Sequence, residues 1–241
     1  MFSLIKKEVF SFFSHASGTI IILSFLVANG ALMWLLSNEF NIIESGYAQL
    51  DGLFSLSPFM MIIFIPALTM RLFSDEYKDG TIEILKTLPI SSNQLVLSKY
   101  ISGLIIVSLA ILPTIVYLVS IYYLADPIGN IDMAGSIGSY IGLFLLSALF
   151  VAIGTYASST TSNQIVSFLV ALLICSFFYF GFDIMAREIK IGTVQLIIEN
   201  IGSDYHYRSL SKGVVDSRDL VYFISLIVVF LQLTVFSIKN K

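Results

Sequence analysis

The chain has little of what a water-soluble protein needs. Charged residues make up 12% of its 241 positions, about half the share of a soluble domain, where roughly 25% is usual. Hydrophobic residues reach 57% and the mean hydropathy is +0.91. Too little polar surface is present to clothe a globule in water, so a soluble enzyme domain is excluded. Disorder is excluded too, because it requires low hydrophobicity and high net charge. The net charge is −3 and no Lys/Arg block exceeds two residues, which argues against a nucleic-acid partner. Cys175 stands alone, so neither an internal disulfide nor a CxxC metal pair can form. Inside an apolar stretch it reads as a small filler.

Catalytic and cofactor motifs are missing as well. No HExxH occurs, which speaks against a membrane zinc protease, and none of the 15 glycines precedes a lysine, so the chain has no phosphate-binding GxxxxGK[ST] loop. His15 and His206 have no second histidine or acidic neighbour at ligand spacing and read as structural or interfacial residues. The sequence points to no catalytic residue, cofactor or metal site.

What is present is length in apolar runs. A spanning helix needs about 20 mostly apolar residues, and five stretches lack Asp, Glu, Lys and Arg: 9–38, 52–70, 100–125, 133–182 and 220–238. The fourth is too long for one helix and contains the polar run Ser158–Gln164. Splitting it there, with Thr161 and Gln164 as a capping box, gives six spans, at about 16–36, 53–70, 101–124, 136–157, 165–182 and 220–238. The first apolar run is about twice a signal-peptide core and lacks a cleavage site, so it is a retained span. With six spans both termini share one side. That side holds eight Lys/Arg residues and a net charge of +3, against −6 opposite, where all five cations sit in the loop 183–219. The positive-inside rule places both termini in the cytoplasm.

No span has a charge in its interior. Such charges are costly and usually functional, so an ion-coupled carrier is disfavoured, though it stays open as an alternative. Gly138 and Gly142 form a GxxxG on the fourth span, which allows close helix approach, within the chain or at a dimer face. Pro58, Pro66 and Pro113 should kink or locally loosen the second and third spans. Hinges of a moving bundle are the sharper reading.

The loop 71–99 is the most informative stretch. Gly80 breaks the chain after a charged turn, and Thr81–Leu88 can make two helical turns with Ile82, Leu85 and Leu88 on one face and Glu83 elsewhere. Pro89 ends that helix, and Ser91 with Gln94 form a capping box for the next. The result is a short amphipathic helix between two sharp turns. A helix lying on lipid is the alternative. At the N-terminus, Phe2, Ile5, Val9 and Phe12/Phe13 share a face while Lys6, Lys7 and Glu8 take the other, as in an interfacial helix over 1–15.

The run Glu76…Gly80-Thr81-Ile82-Glu83-Ile84-Leu85…Leu88-Pro89, with Lys99 at the mouth of a span, resembles the segment after span two in ABC-2-type ABC transporter permeases. The six spans, the interfacial helix and the long outer loop fit the same family, so the resemblance covers a single transmembrane domain over 1–241. It implies an all-α permease with no catalysis of its own, in the bacterial inner membrane, partnered by a cytoplasmic ABC ATPase and by a second permease, identical or related. Membrane lipid and an additional periplasmic-domain subunit are further implied partners. Thr81–Leu88 would be the coupling helix, with Gly80 and Pro89 bounding it. Ile82, Leu85 and Leu88 would give apolar contact to the ATPase, and Glu76 and Glu83 polar contact. The loop 183–219 would hold short re-entrant helices at 193–201 and 205–212. The stretch His206-Tyr-Arg-Ser-Leu-Ser-Lys212-Gly213…Asp216-Ser-Arg218-Asp219 resembles the last outer loop of gliding-motility permeases of Bacteroidota, and of the copper-processing permeases of nitrous oxide reductase maturation. A non-transporting scaffold linked to the same ATPase is a third possible class.

Overall fold

A computed structural model describes residues 1–87, 90–189, 191–213 and 216–240. Leu88, Pro89, Lys190 and Lys241 therefore lie outside the described residues. The described chain is all helical, and six of its helices are long and apolar enough to cross a membrane. Helix α1 is Phe2–Ser14 and the first span, α2, is Ala16–Trp34. The second, α3, is Asp51–Lys78. A short α4, Ile82–Thr87, precedes α5, Ser92–Leu124. Then come α6, Met133–Thr160, and α7, Gln164–Glu188. Two outer helices, α8 (Gly192–Glu199) and α9 (Ser203–Leu210), lead to the last span, α10, Ser217–Lys239.

Helix α6 is the axis of the bundle. Most of its length is buried inside the chain, whereas most of α7 is not, and it packs on α3, α5, α7, α9 and α10. Its small residues explain why. A Cβ at Gly154 would sit 2.8 Å from Thr69 Cβ on α3, so only glycine lets these two helices approach so closely. Gly138 and Gly142 lie at the outer end. Their Cβ atoms would meet Gly213 Cα and Leu210 Cβ, each at 2.7 Å. The GxxxG thus faces α9 and the turn after it, within the same chain.

Several hydroxyls in the spans are satisfied within their own helix, which suits hydrocarbon surroundings. Ser147, Thr155 and Thr234 each donate to the carbonyl four residues back, a pattern that keeps Ser and Thr compatible with a helix. Asn29, fully buried on α2, donates to Phe25 O and accepts from Ser57 Oγ of α3. Pro113 loosens α5 into a 3₁₀ turn at Leu112–Thr114, whereas Pro58 and Pro66 stay inside regular helix. A π-helical turn at Phe177–Gly181 interrupts α7, a feature with no signal in the sequence.

Two expectations need correction. Ser158, Ser159 and Thr160 belong to α6 rather than to a loop, and the chain turns only at 161–163. Thr161 and Gln164 form no capping box, because Asn163 caps α7 by accepting from Ile165 N. Asn is at least as good a cap as Thr, and it starts the helix two residues later. Ser158 itself is buried. Its hydroxyl accepts from Phe73 N and Ser74 N and donates to Met70 O, serving the polar backbone where α3 bends at 70–73. The second correction is Glu8, which leaves the exposed face of Lys6 and Lys7 and turns inward, with 13% of its side chain exposed.

At the opposite end, α9 packs on α6 and α10, while α8 packs on the end of α7. Tyr207 donates its phenol proton to Phe54 O at 2.6 Å and Tyr222 does so to Ile201 O at 2.6 Å. His206 has the acidic partner that sequence spacing did not reveal. Its Nδ1 lies 2.6 Å from Asp219 Oδ1, its Nε2 lies 2.9 Å from Asn200 O, and its ring stacks on Tyr222. These contacts join α8, α9 and α10, a structural role for His206.

Candidate functional site

The site is built where α1, α3, α4 and α5 meet at the end of the bundle that holds both termini. Its centre is Lys99, two turns into α5. The Ser91–Gln94 capping box starts that helix, with Gln94 N donating to Ser91 Oγ and Ser91 N donating to Gln94 Oε1. The helix carries Lys99 under the end of α3, where none of its side chain is exposed. Its ammonium donates to Leu72 O and pairs with Glu76 at 2.9 Å and Glu8 at 3.1 Å. The Phe73 ring centroid lies 5.0 Å away. Desolvating such an ion costs several kcal/mol, which only close pairing and full hydrogen bonding offset. Two carboxylates and a carbonyl supply both here. Lys7, with 59% of its side chain exposed, reaches the same carboxylates at 3.6 and 3.7 Å and adds little across solvent.

The triad ties three segments into one unit. Glu8 belongs to α1, Glu76 to the last turns of α3, and Lys99 to α5. A further bond from Gln164 to Asp75 joins α7 to the same end, and Arg71 donates through Nη1 to Ser17 Oγ at 2.9 Å, joining α2. Neither Glu8 nor the Asp75–Gln164 bond was singled out in the sequence. Glu76 and Lys99 gave the signal, both as parts of the run that follows the second span.

Glu76 therefore spends its carboxylate inside the chain. Gly80 turns the backbone with φ 69°, a conformation that favours glycine, and α4 follows. Ile82 and Leu85 point inward and join the core of the bundle. Thr81, Glu83 and Thr87 are exposed, and Ile84 is 65% exposed. The free face of α4 thus differs from the face expected: it offers Glu83 and Ile84, while Ile82 and Leu85 hold the helix to the bundle. Leu88 and Pro89, expected to complete it, lie outside the described residues.

The six spans and their all-helical bundle define a multi-pass membrane protein. The family model described as "ABC-2 family transporter protein" matches residues 20–238, nearly the whole chain, and the chain belongs to that family. Such a protein is the permease subunit of an ABC transporter, normally without catalysis of its own, and the family works with an ABC ATPase and as a permease dimer. No curated protein matches the chain.

Proposed function

We propose that this permease receives the work of a separate cytoplasmic ATPase through α4, with both termini in the cytoplasm of a bacterial inner membrane. The supporting observation is the mounting of α4. It projects Glu83 and Ile84 outward, is seated on the bundle by Ile82 and Leu85, and is flanked by the Gly80 turn and the α5 cap. A force on α4 passes to the ends of α3 and α5, and through Lys99 to α1. Two such permeases, identical or related, pair around a pathway, and ATP-driven closure of the ATPase rocks the halves against each other. Such alternation requires an ATPase that binds one state better than the other. The segment between α7 and α10, with α8 and α9, reads as the outer gate region. The run from His206 to Asp219 resembles both sub-families, and the Ile- and Phe-rich composition favours a gliding-motility or secretion system over copper-enzyme maturation. A periplasmic-domain subunit would be a further partner.

Two measurements test this reading. The purified chain alone should hydrolyse no ATP, and hydrolysis should appear only when a nucleotide-binding subunit is added. Activity of the pure chain, with contaminants excluded, overturns the proposal. For orientation, Cys175, which is fully buried, is first replaced by Ala. Single cysteines at Asn93 and Thr193, both exposed, should then label from opposite faces of sealed cells, with Asn93 reached only after permeabilisation. Labelling of Asn93 in intact cells reverses the orientation.

A further inference from the structure

His206 faces one more acceptor than a neutral imidazole can serve. Its Nε2 lies 2.9 Å from Asn200 O and its Nδ1 lies 2.6 Å from Asp219 Oδ1. A carbonyl oxygen only accepts, so Nε2 carries a proton. An ionised carboxylate also only accepts, so Nδ1 carries one too. A neutral ring has a single proton, and either of its tautomers would set a nitrogen lone pair against an oxygen lone pair. The contacts are satisfied only when one extra proton is held between His206 and Asp219.

The carboxyl group has no other place for that proton. Its second oxygen, Oδ2, is buried without a partner among the described residues, so an O–H there would lack an acceptor. The proton is thus confined to the line from Nδ1 to Oδ1, where charge-assisted bonds are the short ones. Both side chains are buried, with His206 8% and Asp219 4% exposed. A buried carboxylate needs a cation, and among the described residues His206 is the ion-pair partner of Asp219.

The surroundings suit an imidazolium. The Tyr222 ring of α10 stacks on the imidazole with centroids 3.9 Å apart, and an aromatic face attracts a cation. Tyr205 of α9 and Phe223 of α10 meet the ring at steep angles. The cleft beside the pair is lined by Glu199 of α8, Arg208 of α9, Lys212, Asp216 and Arg218 of α10. Of these, Arg208 is engaged by Asp204 and Asp183.

We propose that His206 and Asp219 form a proton-binding site that fastens the end of α8 and α9 to α10. The fastening is closed with the proton bound. Without it, a buried carboxylate has no cation and lone pairs oppose each other, a strain relieved by turning His206 out of its seat. The end of the bundle opposite the termini therefore loosens as the pH on that side rises.

The test is nitrogen-15 NMR of the imidazole in the full chain, labelled at histidine and held in detergent. The chain has two histidines, so His15→Gln leaves the His206 signal alone. Nuclear Overhauser contacts between the His206 and Tyr222 rings mark the closed form. In that form both ring nitrogens should carry protons. Raising the pH should remove one of them and the Overhauser contacts together. The thermal midpoint should fall in the same step, by several degrees relative to His206→Gln, which has no ring proton to lose. Asp219→Asn should move the step to lower pH by about one unit or more, the scale of one charged hydrogen bond. A single ring proton in the closed form overturns the proposal, as does a proton lost with the ring contacts intact. An unmoved step in Asp219→Asn overturns the pairing with Asp219. Should His206→Gln fail to fold, the ring signal and the Asp219→Asn step decide the matter.

Discussion

Lys99→Met is expected to destabilise the permease by about 3–5 kcal/mol, the cost of removing one partner from a buried ion pair. The substitution keeps most of the side-chain volume, so little of the loss comes from a cavity. What changes is charge. Glu8 and Glu76, both nearly buried, would face one another with only the exposed Lys7 between them, and Leu72 O would lose its ammonium donor. The measurement is the thermal midpoint of purified protein in a fixed detergent, with yield in the membrane as a second reading. Replacing a whole buried ionic cluster by neutral groups of similar size is often harmless, so the triple variant Lys99→Met, Glu8→Gln, Glu76→Gln should recover most of the lost stability. If Lys99→Met alone melts like the wild type, the triad does not hold these helices. If the triple variant is as unstable as the single one, the loss comes from packing around Lys99, including the Phe73 face, and not from unpaired charge.

The triad also shows where a sequence stops being readable. Spans are written locally, as runs without charge, and all six were legible together with the fold class. The Ser91–Gln94 cap was legible because its partners stand three residues apart on one helix start. Local reading fails where two local solutions compete. Thr161 and Asn163 both qualify as caps, and the choice depends on where α6 lets go, which its packing decides. It fails completely for partners brought together by the bundle. Glu8 and Lys99 are 91 positions apart and Asp75 and Gln164 are 89 apart, so no spacing rule links them. His206 and Asp219 are 13 apart, too far for one helix face, and meet only because the turn between α9 and α10 folds them together. For α4 the difficulty is length. With Ile82, Ile84 and Leu85 all apolar, six residues cannot tell which side faces the bundle.

That last ambiguity sets the second large effect. Ile84→Asp should reduce recovery of the partner ATPase by two orders of magnitude or more, while permease level and thermal midpoint stay at wild-type values. Ile84 is 65% exposed in the isolated chain, so a carboxylate there is solvated and leaves the bundle undisturbed. Docked in a protein cleft, the same carboxylate would be buried without a partner, a penalty of several kcal/mol unless the contact opens. Since about 1.4 kcal/mol is a factor of ten in affinity, even a partial penalty is easily seen. Leu85→Asp separates the two faces of the helix. Leu85 is 9% exposed and packed into the core, so its carboxylate should lower the thermal midpoint and the yield of the permease itself, with ATPase loss following as a consequence. The experiment is co-purification of tagged permease and ATPase at matched membrane expression, with the midpoint of each variant measured alongside. Full ATPase recovery with Ile84→Asp would move docking off the Glu83–Ile84 face and return α4 to the role of a helix resting on lipid. Loss of ATPase with an unchanged midpoint can arise only at a surface that the permease leaves free for another protein.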